Sequence, residues 1–467
     1  MTGLGSRTGI VWPVTNRPKK GKETRVILLS FNRWRQKDPR TPLGSAYLYA
    51  WLVSHLTETD NIMLGFIDRG ATEDPALVAK EVLEANPSIL GIGVYVWNCE
   101  AVRELTKLLR AHGYKGTIVL GGAETSYRGA ELPREYPFAD YFVKGEGEAA
   151  FEEIVRSSLE GRVPHGQGIF SLNSQSFEGQ AHLPSGVNPV QPQSLPELIP
   201  LITKGGFSRI QFQRGCPYGC TFCAFPFKDR AFRELDLTSL KGDLSNLRGA
   251  GIRTLAILDP IFFFNKKRAL DILDILGNEL PGVSFEIQTR PEHLNEEIIR
   301  RLSSMNVLLE CGIQTFDHVV QKAIKRGGNR EQVMANLRSL MEHKVRFETH
   351  LIFGLPYQTL DSFLSDLDHL LSYRPERVRA FPLLDHKGTE MSNEVETKYR
   401  GMMSFSASFP RQVVSTKWMP SNEIVALKGI HSFLEDTKDP ASAGIAARDT
   451  YRQFCVSSGE AISHPSG

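Results

Sequence analysis

The chain is short of cysteine, has no long hydrophobic run and carries almost no net charge. Six cysteines in 467 residues are too few for a disulfide scaffold at this length. No stretch approaches the roughly 20 apolar residues that a bilayer-spanning helix needs, so no membrane role is expected. Lys and Arg number 55 against 53 Asp and Glu. The basic excess of a protein held by nucleic-acid phosphates is therefore missing, and nucleic acid is not an expected partner. Residues 1–23 form a polar tail without an apolar signal core, which points to the cytoplasm. Hydrophobic residues at 41% and charged residues at 23% are ordinary globular usage, so global disorder and fibrous repeats are excluded.

What is present is alternation. From Thr24 onward, short Val/Ile/Leu-rich runs such as Arg25-Val26-Ile27-Leu28-Leu29 alternate with helical periodicity. Residues 24–160 are expected to form a doubly wound, Rossmann-like α/β domain. Residues 161–200, rich in Gly, Ser, Gln, Asn and Pro without periodicity, read as a linker crossing the surface. Strand and helix then alternate again over 201–395, often enough to predict a partial (β/α)6 barrel. Residues 396–467 read as a short, mostly helical C-terminal extension.

Half of the cysteines fall within eight residues, in Arg214-Gly215-Cys216-Pro217-Tyr218-Gly219-Cys220-Thr221-Phe222-Cys223, directly after a predicted strand. Structural zinc takes four ligands, and no fourth Cys or His with ligand spacing lies nearby. Three thiolates on an iron–sulfur cube instead leave one iron open. Gly215, Pro217 and Gly219 let the loop wrap closely, while Tyr218 and Phe222 can shield the group and pack against an adenine. The motif resembles the signature of the radical S-adenosylmethionine (SAM) superfamily. Four later segments resemble successive strand ends of that family, in the same order: Leu258-Asp259-Pro260-Ile261-Phe262, Glu310-Cys311-Gly312-Ile313-Gln314-Thr315, His350-Leu351-Ile352-Phe353-Gly354-Leu355-Pro356 and Pro382-Leu383-Leu384-Asp385-His386-Lys387-Gly388-Thr389.

The resemblance implies a 4Fe-4S cluster on Cys216, Cys220 and Cys223. It also implies SAM, cleaved to a 5'-deoxyadenosyl radical, and an external electron donor such as flavodoxin or ferredoxin. It places Asp259 by the methionine amino group, Glu310 and Gln314 by the methionine and ribose, and Gly354 by the adenine. Gly121-Gly122-Ala123-Glu124 and Gly145-Glu146-Gly147-Glu148 resemble the cobalamin-binding-like domain that precedes the radical core in one branch of the superfamily, with Gly121, Gly122 and Gly145 along the corrin site. The Asp-x-His-x-x-Gly signature of an axial histidine is missing, and Asn32-Arg33-Trp34-Arg35-Gln36-Lys37-Asp38-Pro39-Arg40 stands in its place. Cobalamin is thus left open.

Independently of the resemblance, side chains alternate across a strand. Glu286, Gln288 and Arg290 share one face, as do Glu310, Gly312 and Gln314, and Glu348, His350 and Ile352. Apolar Phe285, Ile287, Ile313, Phe347 and Leu351 take the other. Glu286, Glu348 and His350 are the candidate catalytic groups for a small polar substrate bearing hydroxyl or ammonium groups, and Arg290 or Arg379 the partners that buried carboxylates need. Two outcomes divide the expected chemistry. The favoured one is a lyase reaction, dehydration of an aminoglycoside-type diol, resembling the radical diol dehydratase of apramycin biosynthesis, with a downstream reductase as a further partner. The alternative is a cobalamin-dependent C-methyltransferase of secondary, antibiotic-type metabolism; a remote third is an RNA-modifying radical SAM enzyme.

Overall fold

The computed structural model describes residues 10–12, 23–32, 41–56, 60–225 and 232–436. Two compact units divide the chain, one of residues 1–209 and 235–253, the other of residues 210–234 and 254–467.

The first unit is built on a six-stranded sheet: β1 (Thr24–Asn32), β2 (Ile62–Gly70), β3 (Ile89–Gly93), β4 (Thr117–Gly121), β5 (Tyr141–Val143) and β6 (Ile169–Ser171), in the order β2-β1-β3-β4-β5-β6. The pairs from β2 through β5 are parallel, and β6 joins antiparallel. Val26 to Leu29 are buried without a break, because both faces of β1 are covered. Val26 and Leu28 share a core with Ala46, Tyr49 and Leu52 of the helix Leu43–His55 and with Phe151 and Ile154 of the helix Gly147–Glu160. The stretch 161–200, which the sequence suggests as a surface linker, supplies β6 and buries Phe177, Ala181, Leu183 and Leu198 within this unit. Its apolar residues are spaced irregularly, so neither helical nor strand periodicity announces them.

The second sheet also has six strands. Its strands are β7 (Phe207–Ile210), which straddles the division between the units, then β10 (Thr254–Ile257), β11 (Ser284–Thr289), β12 (Val307–Gln314), β13 (Arg346–Phe353) and β14 (Arg377–Pro382). Strands β10 to β14 pair in parallel, in chain order. The sheet ends at β7 and β14 and is an open, partial barrel. Helices between its strands start where the sequence supplies a side-chain cap: Asn265, Asn295, Asp317, Asn329 and Thr359 each accept a backbone N–H of the first turn. A two-stranded ribbon, β8 (Gln213–Arg214) with β9 (Arg233–Glu234), brackets the three-cysteine loop. Beyond the sheet, a hairpin of β15 (Met403–Phe405) and β16 (Val413–Thr416) precedes the helix Ser421–Asp436. No helix among the described residues is long and apolar enough to cross a membrane.

Candidate functional site

The three-cysteine loop leaves β7 through Phe212 and Gln213, whose N–H groups both donate to Asp259 Oδ1, at 2.8 and 3.2 Å. Asp259 is 1% exposed, and burial pushes its carboxyl up to about 7 against those two hydrogen bonds. It therefore fixes the approach to the loop. Gly215 follows with φ +80°, a conformation for which glycine is suited. Thr221 stitches the loop to later chain: its N–H donates to Ile324 O (3.0 Å) and its carbonyl accepts from Met391 N (2.9 Å).

Cys216 and Cys220 are buried and Cys223 half-buried, and all three thiols are free. Burial pushes Cys223 up to about 12 and raises Cys216, while Arg290 and Arg326 pull Cys216 the other way. A bare thiolate is costly there, so ionisation requires a positive partner. An iron–sulfur cube takes three soft thiolates one per iron and leaves the fourth iron open. A single ion would need them on one centre, and among the described residues no three His, Cys, Asp or Glu close on one. The donor set fits the cube. Tyr218 is clasped: its hydroxyl meets His293 Nε2 at 2.7 Å, and the Arg290 guanidinium lies 3.9 Å from its ring centre. Phe222 is half-buried.

On the open face of the sheet, register aligns Gln288, Glu310, Glu348 and Arg377 in one row and Gly312, His350 and Arg379 in the next. Cys311, Ile313, Phe285, Ile287, Phe347 and Leu351 are buried on the opposite side. Glu348 is 1% exposed; its Oε1 meets Arg379 Nε at 2.9 Å and His350 Nε2 at 2.9 Å. Burial by itself would raise this carboxyl, but the His350 hydrogen bond and the Arg379 charge hold it below the ordinary range. Glu348 Oε2 is buried with no partner. Glu286 sits one row earlier, level with Leu308 and Arg346, and so away from the carboxyl ends. Gln314 takes φ +70° at a bulge that shifts the β12–β13 register. Gly354 lies beneath the C-terminal extension: a methyl built on it would come 2.7 Å from Val413 Cγ1.

In the first unit, Trp97 lies flat on Tyr95, ring centres 4.6 Å apart and 3° from parallel. Its Nε1 donates to Phe31 O, joining the loop after β3 to the end of β1. That is the point where strand order reverses and where doubly wound sheets take ligands. Trp97 is 40% exposed there and presents a flat ring surface. Gly122 and Gly145, at φ +99° and +91°, face their own chain: a methyl on each would meet Val94 O at 2.7 Å and Ala181 O at 2.4 Å. Turn geometry, rather than ligand approach, requires them. Gly121 is more open, with Val143 nearest at 3.9 Å. Thr125 Oγ1 donates to Gly122 O and Val143 O, and Ser126 Oγ accepts from Gly145 N, sewing the glycine turns together. Residues 33–40, the loop standing in for an axial-histidine signature, and Cys455 lie outside the described residues.

Sequence reasoning missed Arg326, His293, Tyr95 and Trp97. Arg326 sits in Lys325-Arg326-Gly327-Gly328, about a hundred residues after the thiol loop, and only the fold brings it to Cys220.

Comparison with known proteins joins these observations. Residues 210–370 match the model of the radical SAM superfamily and residues 41–155 that of the B12 binding domain. An uncharacterised methyltransferase of Pyrococcus horikoshii is 25% identical over 335 residues, 68% of this chain and 70% of that protein. The cobalamin-dependent radical SAM methyltransferase TokK of Streptomyces tokunonensis is 23% identical over 64% of this chain; the chain spans only 48% of TokK. The methyltransferase TsrM of Kitasatospora setae, solved with cobalamin and a [4Fe-4S] cluster, matches in fold with a TM-score of 0.68 at 17% identity, over 93% of this chain and 82% of its own. Radical SAM domains use a 4Fe-4S cluster and SAM and need a reductant. The chain thus carries a B12-binding domain followed by a radical SAM domain, the order that the sequence resemblance leads one to expect.

Proposed function

We propose that this protein is a cobalamin-dependent radical SAM methyltransferase acting on a carbon of a small polar molecule. The observation that carries the reading is the presence, in one chain, of a B12-binding domain and a radical SAM domain whose thiol loop offers three ligands. Curated relatives are named methyltransferases, which favours methyl transfer over the dehydration that the sequence alone suggests. When bound, the cluster and SAM supply hydrogen abstraction at an unactivated carbon, and cobalamin supplies a methyl carrier.

The chain's own residues divide the remaining work. Cys216, Cys220 and Cys223 hold the cluster; Asp259 steadies the segment before them instead of being free for SAM. Glu310 and Gln314 face the methionine and ribose, and Tyr218 and Phe222 screen the loop from water. Trp97 and Gly121 border the corrin. Glu348, fixed by Arg379, holds His350 through its Oε1, and the more exposed His350 takes or gives a proton at a substrate hydroxyl or ammonium with the buried carboxylate behind it. Glu286, one row away, stays outside this pair. The setting is the cytoplasm, with flavodoxin or ferredoxin as electron donor.

The test is anaerobic incubation of the iron-loaded protein, with and without cobalamin, using SAM labelled in its methyl group. Methyl donation leaves S-adenosylhomocysteine and requires retained cobalamin. Methionine and 5'-deoxyadenosine alone, with no cobalamin held after gel filtration, would return the reading to dehydration.

A further inference from the structure

We infer that Arg326, assisted by Arg290, is the buried positive charge that raises the reduction potential of the cluster held by Cys216, Cys220 and Cys223. The inference rests on the proposed role of those three thiolates and goes beyond it.

Arg326 is 9% exposed. Its Nε donates to Ile313 O at 3.3 Å and its Nη2 to Gly312 O, so two carbonyls of β12 hold the guanidinium in place. Its third arm, Nη1, points at Cys220 Sγ, 3.8 Å away. Carbonyls orient a cation without cancelling its charge. Arg290 lies beside it, 3% exposed, paired with Glu292 at 2.8 Å, and its Nη1 is buried with no partner. Burial and the charge of Arg290 both lower the proton affinity of Arg326, as expected of two cations crowded into one dry place. The two guanidiniums and Glu292 leave an excess of one positive charge.

Buried charge in excess is expensive unless an anion answers it. A 4Fe-4S core of charge 2+ on three thiolates carries −1, and accepting one electron from the external donor makes it −2. Both states complement the arginines, the reduced one more strongly. Net charge and hydrogen bonds to the sulfurs are among the terms that set cluster potentials. Arg326 supplies both at one sulfur, and Arg290, buried beside it with Nη1 unpartnered, adds charge to the same dry neighbourhood. Arg326 is thus a positioning residue that acts through Cys220, not a catalytic one.

The experiment is an EPR-monitored redox titration of the reconstituted full-length protein, with iron content measured in parallel. R326Q is expected to keep its iron and to titrate at a more negative potential. For a one-electron couple, a shift of about 59 mV lowers the reduced-to-oxidised ratio tenfold at the wild-type midpoint. R326K, which keeps the charge but loses the fork, is expected to shift less. A loaded R326Q with the wild-type midpoint overturns the inference and leaves Arg326 a loop strut, as does an altered affinity for SAM with no shift. If R326Q holds no iron, R290Q decides: a negative shift supports the inference and an unchanged midpoint defeats it. Wild-type protein that takes up no cluster would instead defeat the functional reading beneath it.

Discussion

Strands β1 and β12 are both parallel strands near the middle of their sheets, yet they bury different things. In β1 four consecutive residues, Val26 to Leu29, are inside; in β12 burial alternates, with Val307, Leu309, Cys311 and Ile313 inside and Leu308, Glu310, Gly312 and Gln314 half-open. A strand covered on both faces has no room for chemistry, and the first unit can offer exposed groups only at strand ends and in loops, such as Gly121 at the end of β4 and Trp97 in the loop after β3. A strand with one open face can carry them itself, as β12 and β13 do. The first unit is thus a platform, while the second is a scaffold whose interior wall is also its candidate site.

The contrast can be broken most decisively at the cysteines. Replacing Cys216, Cys220 or Cys223 by Ala is expected to abolish the cluster's visible absorption and all SAM cleavage, because each provides one of three thiolates. Cys99 and Cys311, each buried in the apolar interior, are expected to be replaceable with iron content unchanged, and Cys455 likewise. Iron loss on changing any of these would show that the ligand assignment is wrong.

The next largest effect concerns the open face. Glu348→Gln and His350→Asn are expected to slow product formation by roughly 10²–10⁴-fold while sparing the cluster and SAM cleavage. Full product yield from both would make the pair structural. Glu348 also has a stability signature. Its folded-state affinity for protons is depressed, so its stabilising contribution is present above the ordinary carboxylate range and is lost as pH falls through the depressed value. Acid unfolding of Glu348→Gln is expected to be correspondingly less steep.

Asp259 works in the opposite sense. Its pKa rises from an ordinary 3.8 to about 7 in the fold, so the folded apoprotein binds the extra proton and loses stability as pH climbs between those values. Three pKa units bound the effect at about 4 kcal/mol. Asp259→Asn, whose amide oxygen can still accept from Phe212 and Gln213, is expected to flatten this dependence and melt higher at pH 8. A parent-like melting profile between pH 4 and 8 would remove the claim that burial strains this carboxylate.

Smallest are the glycine effects in the platform. Gly145→Ala forces a side chain at φ +91° against Ala181 O and is expected to cost about 1–3 kcal/mol. Gly121→Ala, with 3.9 Å of clearance, is expected to leave thermal stability nearly unchanged. If it still weakens cobalamin retention, the corrin edge is located; unaltered retention moves that edge elsewhere.

The cysteine loop was legible because its chemistry is contiguous, and the open face because alternation along a strand is local. Glu348 with Arg379 was legible in part, since a buried carboxylate calls for a cation. The Arg290–Tyr218–His293 clasp and the reach of Arg326 were not, because each depends on segments distant in sequence. Gly354 shows the same limit. Its backbone conformation could be guessed from a Gly-Leu-Pro turn, but its cover of Val413 and Ile424 comes from an extension whose hairpin has only short strands to announce it.

The two hydrogen bonds of Thr221 also set a timetable. Thr221 stands between the second and third thiols, yet its backbone partners are Ile324 and Met391, far later in the chain. Contacts so distant in sequence form late, after the intervening loops have closed. On a ribosome the thiols therefore emerge long before the surroundings that hold their loop, and iron is expected to load only after those later segments have folded. A chain cut before Met391 is expected to take up iron poorly, and its three exposed thiols to be open to oxidation in the meantime.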